Sequence, residues 1–272
     1  MPWVLLLFMI AVGVGFYVLI YVSAQAQINA VRGGTLPSQP GQLEAMQEAL
    51  RELRPDRVQS FGVGIVSGIG SVMLIVLAAS HLGTEFGWGT LRTLLAHGAG
   101  RGQFVASKSL SLALFAFVFM VVGVVAAIAG SYLVTTLANE SSDGLDLAAV
   151  IDRAARGYYT FLPYMALTAL IALWARSAGA GIAAGLVVYF TESLIAQLLV
   201  QFNRDFANIV NYGLSRNASA LTRVAVTTSV SPDPSFAALP DQTQAAIVLG
   251  IYTALFIGLA YWRLRTRDVT LG

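Results

Sequence analysis

Long apolar runs separated by short polar clusters dominate the chain. Six runs approach the roughly 20 residues needed to cross ~30 Å of hydrocarbon as a helix. They cover about 2–23, 59–82, 109–137, 157–174, 179–200 and 245–262. The pattern predicts an all-α membrane protein with one transmembrane domain over residues 1–272. Glu192 is the one Asp, Glu, Lys or Arg inside these six runs. After the first run, Ala24-Gln25-Ala26 offers a signal-peptidase-like site. No Lys or Arg precedes Arg32, however, and the apolar run is longer than a signal core, so a retained span is expected. The missing basic flank also fits a natural chain that begins upstream of Met1.

The polar intervals carry their own periodicity. In residues 41–56, Leu43, Met46, Leu50 and Leu53 share one face of a helix, and Pro55 ends it. That helix is expected to lie on the membrane surface or against the bundle, with docking of an outside partner as the sharper alternative. The interval 138–156 is acidic (Glu140, Asp143, Asp146, Asp152) but lacks calcium-loop spacing, so it reads as a connector. The interval 201–244 begins with apolar residues fit for short helices dipping toward the membrane. From Ser229 it is rich in Ser, Pro and Asp and reads as turns.

Composition supports lipid as the solvent. Of 272 residues, 57% are hydrophobic and 11% charged, and mean hydropathy is +0.72. A soluble domain carries roughly a quarter charged residues. Cysteine is absent, which excludes disulfides, thiolate metal sites and a cysteine nucleophile. A net charge of +2 is too small to suggest nucleic-acid binding. Two histidines, His81 and His97, do not make a metal site; Glu85 pairs in register with His81, but no third ligand is visible.

Arginine placement sets the expected orientation. With six spans, one side holds 83–108, Arg176 and the tail. Its basic residues are Arg92, Arg101, Lys108, Arg176, Arg263, Arg265 and Arg267, against the acids Glu85 and Asp268. The other side has nine basic residues in longer loops, offset by eleven acids. The first side is therefore expected to be cytoplasmic, with both termini on it.

The stretch 84–101 holds the densest pattern. Thr84 is placed to cap a helix beside Glu85, Leu91, Leu94 and Leu95 form an apolar stripe, and Gly98 and Gly100 end it. Such a helix needs the membrane surface or a partner to cover its stripe. Glu85, Gly89-Thr90-Leu91, Leu94-Leu95, Gly98, Arg101 and Lys108 together resemble the cytoplasmic segment of type 2 ATP-binding-cassette permeases. The layout agrees: the segment lies between the second and third of six spans, a long outer interval separates the last two, and Arg267-Asp268-Val269 follows the sixth. The family commonly has a basic amphipathic stretch before its first span, which this chain lacks after Met1. The resemblance implies an exporter permease fold with a short cytoplasmic coupling helix that docks on an ATPase subunit. By resemblance the contact falls to Glu85, Phe86, Gly89, Thr90, Leu91 and Leu94. The implied partners are two ABC ATPase subunits, a second permease copy or homologue, and membrane lipid. ATP and Mg would sit on the ATPase, with no cofactor on this chain. The implied location is a bacterial or archaeal plasma membrane.

Gly102 to Ser109 departs from a P-loop by one residue, Ser107, but has neither the strand nor the α/β sheet that a P-loop requires. The chain is thus not expected to be an enzyme by itself. Glu192 is the candidate for a substrate pathway, because a charge in hydrocarbon faces a bundle interior or water; structural pairing is the competing role. Gly64-x-x-x-Gly68 and Gly181-x-x-x-Gly185 permit close helix contacts. The rival functions are a secondary transporter using Glu192 and a non-transporting sensor or assembly subunit. No repeat between the halves favours the former.

Overall fold

The computed structural model describes residues 2–33, 41–87, 100–139, 144–202, 207–222 and 239–266, and every regular element among them is helical. The order is α1 (Pro2–Arg32), α2 (Gln42–Arg51), α3 (Val63–Gly87), α4 (Arg101–Leu137), α5 (Leu147–Ala175), α6 (Ala178–Phe202), α7 (Ala207–Val210), α8 (Leu214–Thr222) and α9 (Gln242–Thr266). A 3₁₀ turn (Pro55–Arg57) and a π-helical turn (Val58–Gly62) lead into α3. Six stretches are long and apolar enough to cross a membrane: α1, 55–85, α4, α5, α6 and α9.

Most of these helices outrun their apolar cores. α4 starts at Arg101, two turns before the apolar run at 109, and α5 starts at Leu147, within the interval read as a connector. The reason is local. Arg101 and Lys108, like Asp152, Arg153 and Arg156, lower hydropathy without opposing helix. Asp146 supplies an N-cap, its Oδ1 accepting from the Ala149 N–H at 3.0 Å. Thr84 corrects a second expectation. It is not an N-cap, because α3 continues through it to Gly87. Its Oγ1 donates to the Ser80 carbonyl at 2.7 Å, the back-bond that lets Thr sit inside a helix.

The chain divides into two units, one of Met1–Gly70 and Val118–Ala155, the other of Ser71–Phe117 and Arg156–Gly272. In the first, the fully buried Tyr17 of α1 meets Phe61 edge-on, ring centres 5.5 Å apart. A Cβ on Gly130 of α4 would lie 3.2 Å from both that ring and the Gly13 carbonyl, so the bare glycine admits the tyrosine. α2 packs on α1, and Leu53 beyond it is buried, its carbonyl accepting from Ser131 Oγ at 2.6 Å. The amphipathic stripe of 41–56 thus joins the bundle, although the helix ends at Arg51, before Pro55.

The second unit is built on a seam of small residues. Cβ atoms added to Gly181 or Gly185 of α6 would meet Ala172 and Ala79, or Thr168 and Ile75. α6 therefore lies close to both α5 and α3, the approach that small residues allow in lipid. Gly64 and Gly68 have open space beside them, so that pair makes no such seam within the described fold. A buried cluster of Ile75, Tyr164, Leu214, Leu221, Ala245 and Leu249 secures α8 against its neighbours. The short helices expected within 201–244 are α7 and α8; the turn-rich residues 229–238 lie outside the described residues.

α9 begins on a cap that makes a pH prediction. Asp241 Oδ2 accepts from the Thr243 N–H at 3.0 Å, and this bond holds the carboxyl below its ordinary 3.8. A carboxyl depressed in the folded state stabilises that state above the ordinary value, and the contribution fades as pH falls through the depressed one. Asp241→Asn should flatten the pH dependence of Tm below about pH 4, measured against the parent chain in detergent. An unchanged slope would place the acid sensitivity elsewhere.

Candidate functional site

Polar side chains gather in the second unit where α3 ends and α4 begins. Glu85, in the last turn of α3, accepts from Lys108 Nζ of α4 at 2.5 Å, and the two side chains retain only 17% and 18% exposure. At this burial the attraction is poorly screened and either charge alone would be costly. The Lys108 ammonium also lies 5.8 Å from the Phe104 ring centre. One turn back along α3, His81 Nε2 is 3.0 Å from Ser111 Oγ. Two contacts therefore tie α3 to α4 at this end.

Arg101 makes a third tie. Its Nη1 donates to the carbonyls of Leu264 at 3.1 Å and Arg265 at 2.7 Å, at the end of α9. The last four carbonyls of a helix lack internal donors and carry its negative pole, so a guanidinium there satisfies both needs. Arg263 of the same turn stacks over Trp174 of α5, 5.1 Å from the ring centre. At the start of α6, Ala178 lies directly against Gly83 of α3. The preceding Arg176 has a positive φ of 54°, which makes the sharp reversal from α5. The ends of α3, α4, α5, α6 and α9 are thus fixed to one another through residues 83–85 and 101–108.

Glu192 of α6 serves a different helix. Its Oε1 accepts from the Ser215 N–H at 3.1 Å in the first turn of α8. An acidic acceptor there satisfies an otherwise orphan donor and complements the helix dipole. Its Oε2 is buried without a hydrogen-bond partner among the described residues. Asn217, fully buried, donates through Nδ2 to the carbonyls of Asn211 and Gly213, closing the turn before α8. Arg216 is also buried, which pulls its guanidinium below the usual arginine value, and its Nε donates to Asn211 Oδ1 at 2.8 Å. Glu192→Gln retains an oxygen for Ser215, whereas Glu192→Leu does not. The leucine variant should lose about 1–2 kcal/mol and speed hydrogen exchange at 214–217, with glutamine close to the parent. Equal exchange in both variants would argue against the clamp.

Of the residues expected to contact an ATPase, Glu85 lies in α3 paired with Lys108, and Phe86 follows it in the same helix. Gly89, Thr90, Leu91 and Leu94 lie outside the described residues. Sequence reading did not find the Arg101 clamp, whose acceptors are more than 160 residues away. A basic residue at one helix start and a polar end to another was the only available signal. Nor did it pair Glu192 with α8, because a backbone N–H leaves no trace in residue identity.

The family described as ABC-2 family transporter protein matches this chain over residues 1–269. No curated protein sequence matches it.

Proposed function

The chain belongs to the ABC-2 family of transporter proteins, and on that premise we propose that this permease subunit of an ABC transporter exports its substrate by alternating access, driven by a separate ATPase. The 83–108 end faces the cytoplasm in this reading, in line with its excess of arginine. Residues Glu85 to Leu94 form the contact with the ATPase. Two ATPase subunits, carrying ATP and Mg, serve two permeases. α6 is a natural face for the second permease copy: only 11% of its most apolar window is buried, against 61% for α5, and Phe190, Leu194 and Ile195 are exposed on it.

The observation that carries the proposal is the frame formed by the described helix ends at 83–87 and 101–108. A push delivered between α3 and α4 meets helices already joined by Glu85–Lys108 and by Arg101 on α9. The force therefore moves several spans together. Substrate would pass between the two permeases, with Glu192, whose Oε2 has no hydrogen-bond partner among the described residues, as the acidic side chain on its path. The Glu192 hold on α8 favours a fixed element over an independent ion-driven carrier.

The absence of cysteine makes the chain suited to site-specific labelling. Single cysteines at Ser177 and Ser141 should react with an impermeant maleimide from opposite sides of the membrane, Ser177 from the cytoplasmic side. Labelling from the same side contradicts the topology. In the reconstituted complex, Arg101→Gln should leave the ATPase bound but reduce the ATP-dependent change in labelling of a cysteine at Ser193. An undiminished change would remove Arg101 from the transmission path.

A further inference from the structure

We propose that the cavity enclosed by α3, α4, α5 and α9 binds one membrane phospholipid with an anionic headgroup, an acyl chain filling the cavity and the phosphate at its Lys108 end. The cavity measures about 300 Å³. Its walls include Leu82 of α3, Leu112 and Ala113 of α4, Met165 and Ala169 of α5 and Ile257 of α9. All four helices belong to stretches that can cross a membrane, so the surrounding medium is hydrocarbon. Water would find few partners on such walls. A flexible alkyl chain matches both their chemistry and the volume, which holds on the order of ten methylene-sized groups.

The polar end sets the headgroup. Lys108 lines the cavity, beside Ser109. Its ammonium has three donors, and Glu85 accepts one. Ala260 also lines the cavity, and Arg263 lies one turn further along α9. The Arg263 Nε is buried and has no hydrogen-bond acceptor among the described residues. Arg101 and Arg265 sit at the same helix ends, so among the described residues there cations outnumber the one acid, Glu85, and this excess of positive charge complements a phosphate. Basic pockets between spans hold anionic headgroups for the same reason. A zwitterionic lipid brings an ammonium of its own and gains less. The site stands independently of the transport proposal, because it requires neither an ATPase nor a transported substrate.

The test uses the purified full-length chain, stripped of lipid in detergent. It is titrated with dioleoylphosphatidylglycerol, dioleoylphosphatidylcholine or inorganic phosphate, with bound lipid counted by native mass spectrometry and Tm followed in parallel. The expected result is one tightly held phosphatidylglycerol per chain, with a raised Tm and no effect of phosphate alone. At ~1 kcal/mol per basic residue, its preference over phosphatidylcholine should be about fivefold or more. Ala169→Leu and Ala113→Leu, which add bulk to the cavity lining from two different helices, should each reduce retention. Arg263→Gln should keep acyl binding but lose the headgroup preference. Equal retention of the two lipids by the parent chain overturns the proposal, as does undiminished retention in both filled variants. Should a filled variant not fold, the parent's lipid preference and Arg263→Gln still decide.

Discussion

Gly83→Ala is expected to lower both Tm and the yield of folded protein, while Gly68→Ala, fifteen residues earlier in the same helix, is tolerated. A Cβ at position 83 would fall on the backbone N and Cα of Ala178, and 2.6 Å from its Cβ. Backbone does not step aside as a flexible side chain does. Ala178 is further held by the reversal at Arg176, whose φ is already positive, and by the Ser177 N–H donating to the Ala172 carbonyl at 3.2 Å. Relief would require α6 to slide along α5, where Gly181 and Gly185 are also in close contact. Overpacking of this kind costs about 1–3 kcal/mol, and the ~1 kcal/mol helix preference of Ala over Gly offsets only part of it. A Cβ at Gly68 would meet nothing within 4 Å among the described residues beyond its own helix backbone, so the favourable preference dominates. Yield of monodisperse protein and Tm, compared for the two variants, read the difference directly. Equal values would show that α3 does not approach α6 this closely.

Lys108→Glu should be the most damaging single charge change in the chain, and Glu85→Lys in the same molecule should largely restore it. The single change places two carboxylates together where the native partners are more than four-fifths buried. Breaking a buried pair costs about 3–5 kcal/mol, and these positions, partly open, should fall near the lower end. An exposed pair would contribute about 0–1 kcal/mol, so the cycle of single and double variants separates the two cases. A coupling energy above about 1 kcal/mol supports the joint between α3 and α4. A value near zero, with both single variants stable, would contradict it. The restored double variant also matters for function: it keeps the joint while changing the charge presented at Glu85.

Much of the architecture was legible because lipid imposes a blunt requirement. Each span had to be a long apolar helix, so all six appeared as runs, and the exclusion of charge singled out Glu192. The helix ends were less legible. Arg101, Lys108, Asp152 and Arg156 leave the hydrocarbon but stay helical, and hydropathy does not distinguish that from a loop. Thr84 misled for a related reason: its hydroxyl can cap a helix or bond back within one, and the choice depends on whether the helix continues. Of the two glycine pairs, Gly181 and Gly185 pack tightly while Gly64 and Gly68 do not. Spacing alone is identical in both. The joints around 83–108 depend on partners distant in sequence: Lys108 on Glu85 is 23 residues away and Arg101 on Leu264 is 163. Family resemblance pointed to this region, and the structure supplied the contacts that join it to the spans.

Affinity purification of the tagged chain from its native membrane in mild detergent tests the central proposal most directly, with stoichiometry and ATP hydrolysis as readouts. The expected result is a co-purifying ABC ATPase at one copy per permease, active in hydrolysis, and lost on Leu91→Asp while the permease itself remains monodisperse. A chain that emerges intact and alone under several mild detergents, or one whose ATPase stays bound despite Leu91→Asp and Leu94→Asp together, would contradict the assignment of 83–108 as the coupling contact.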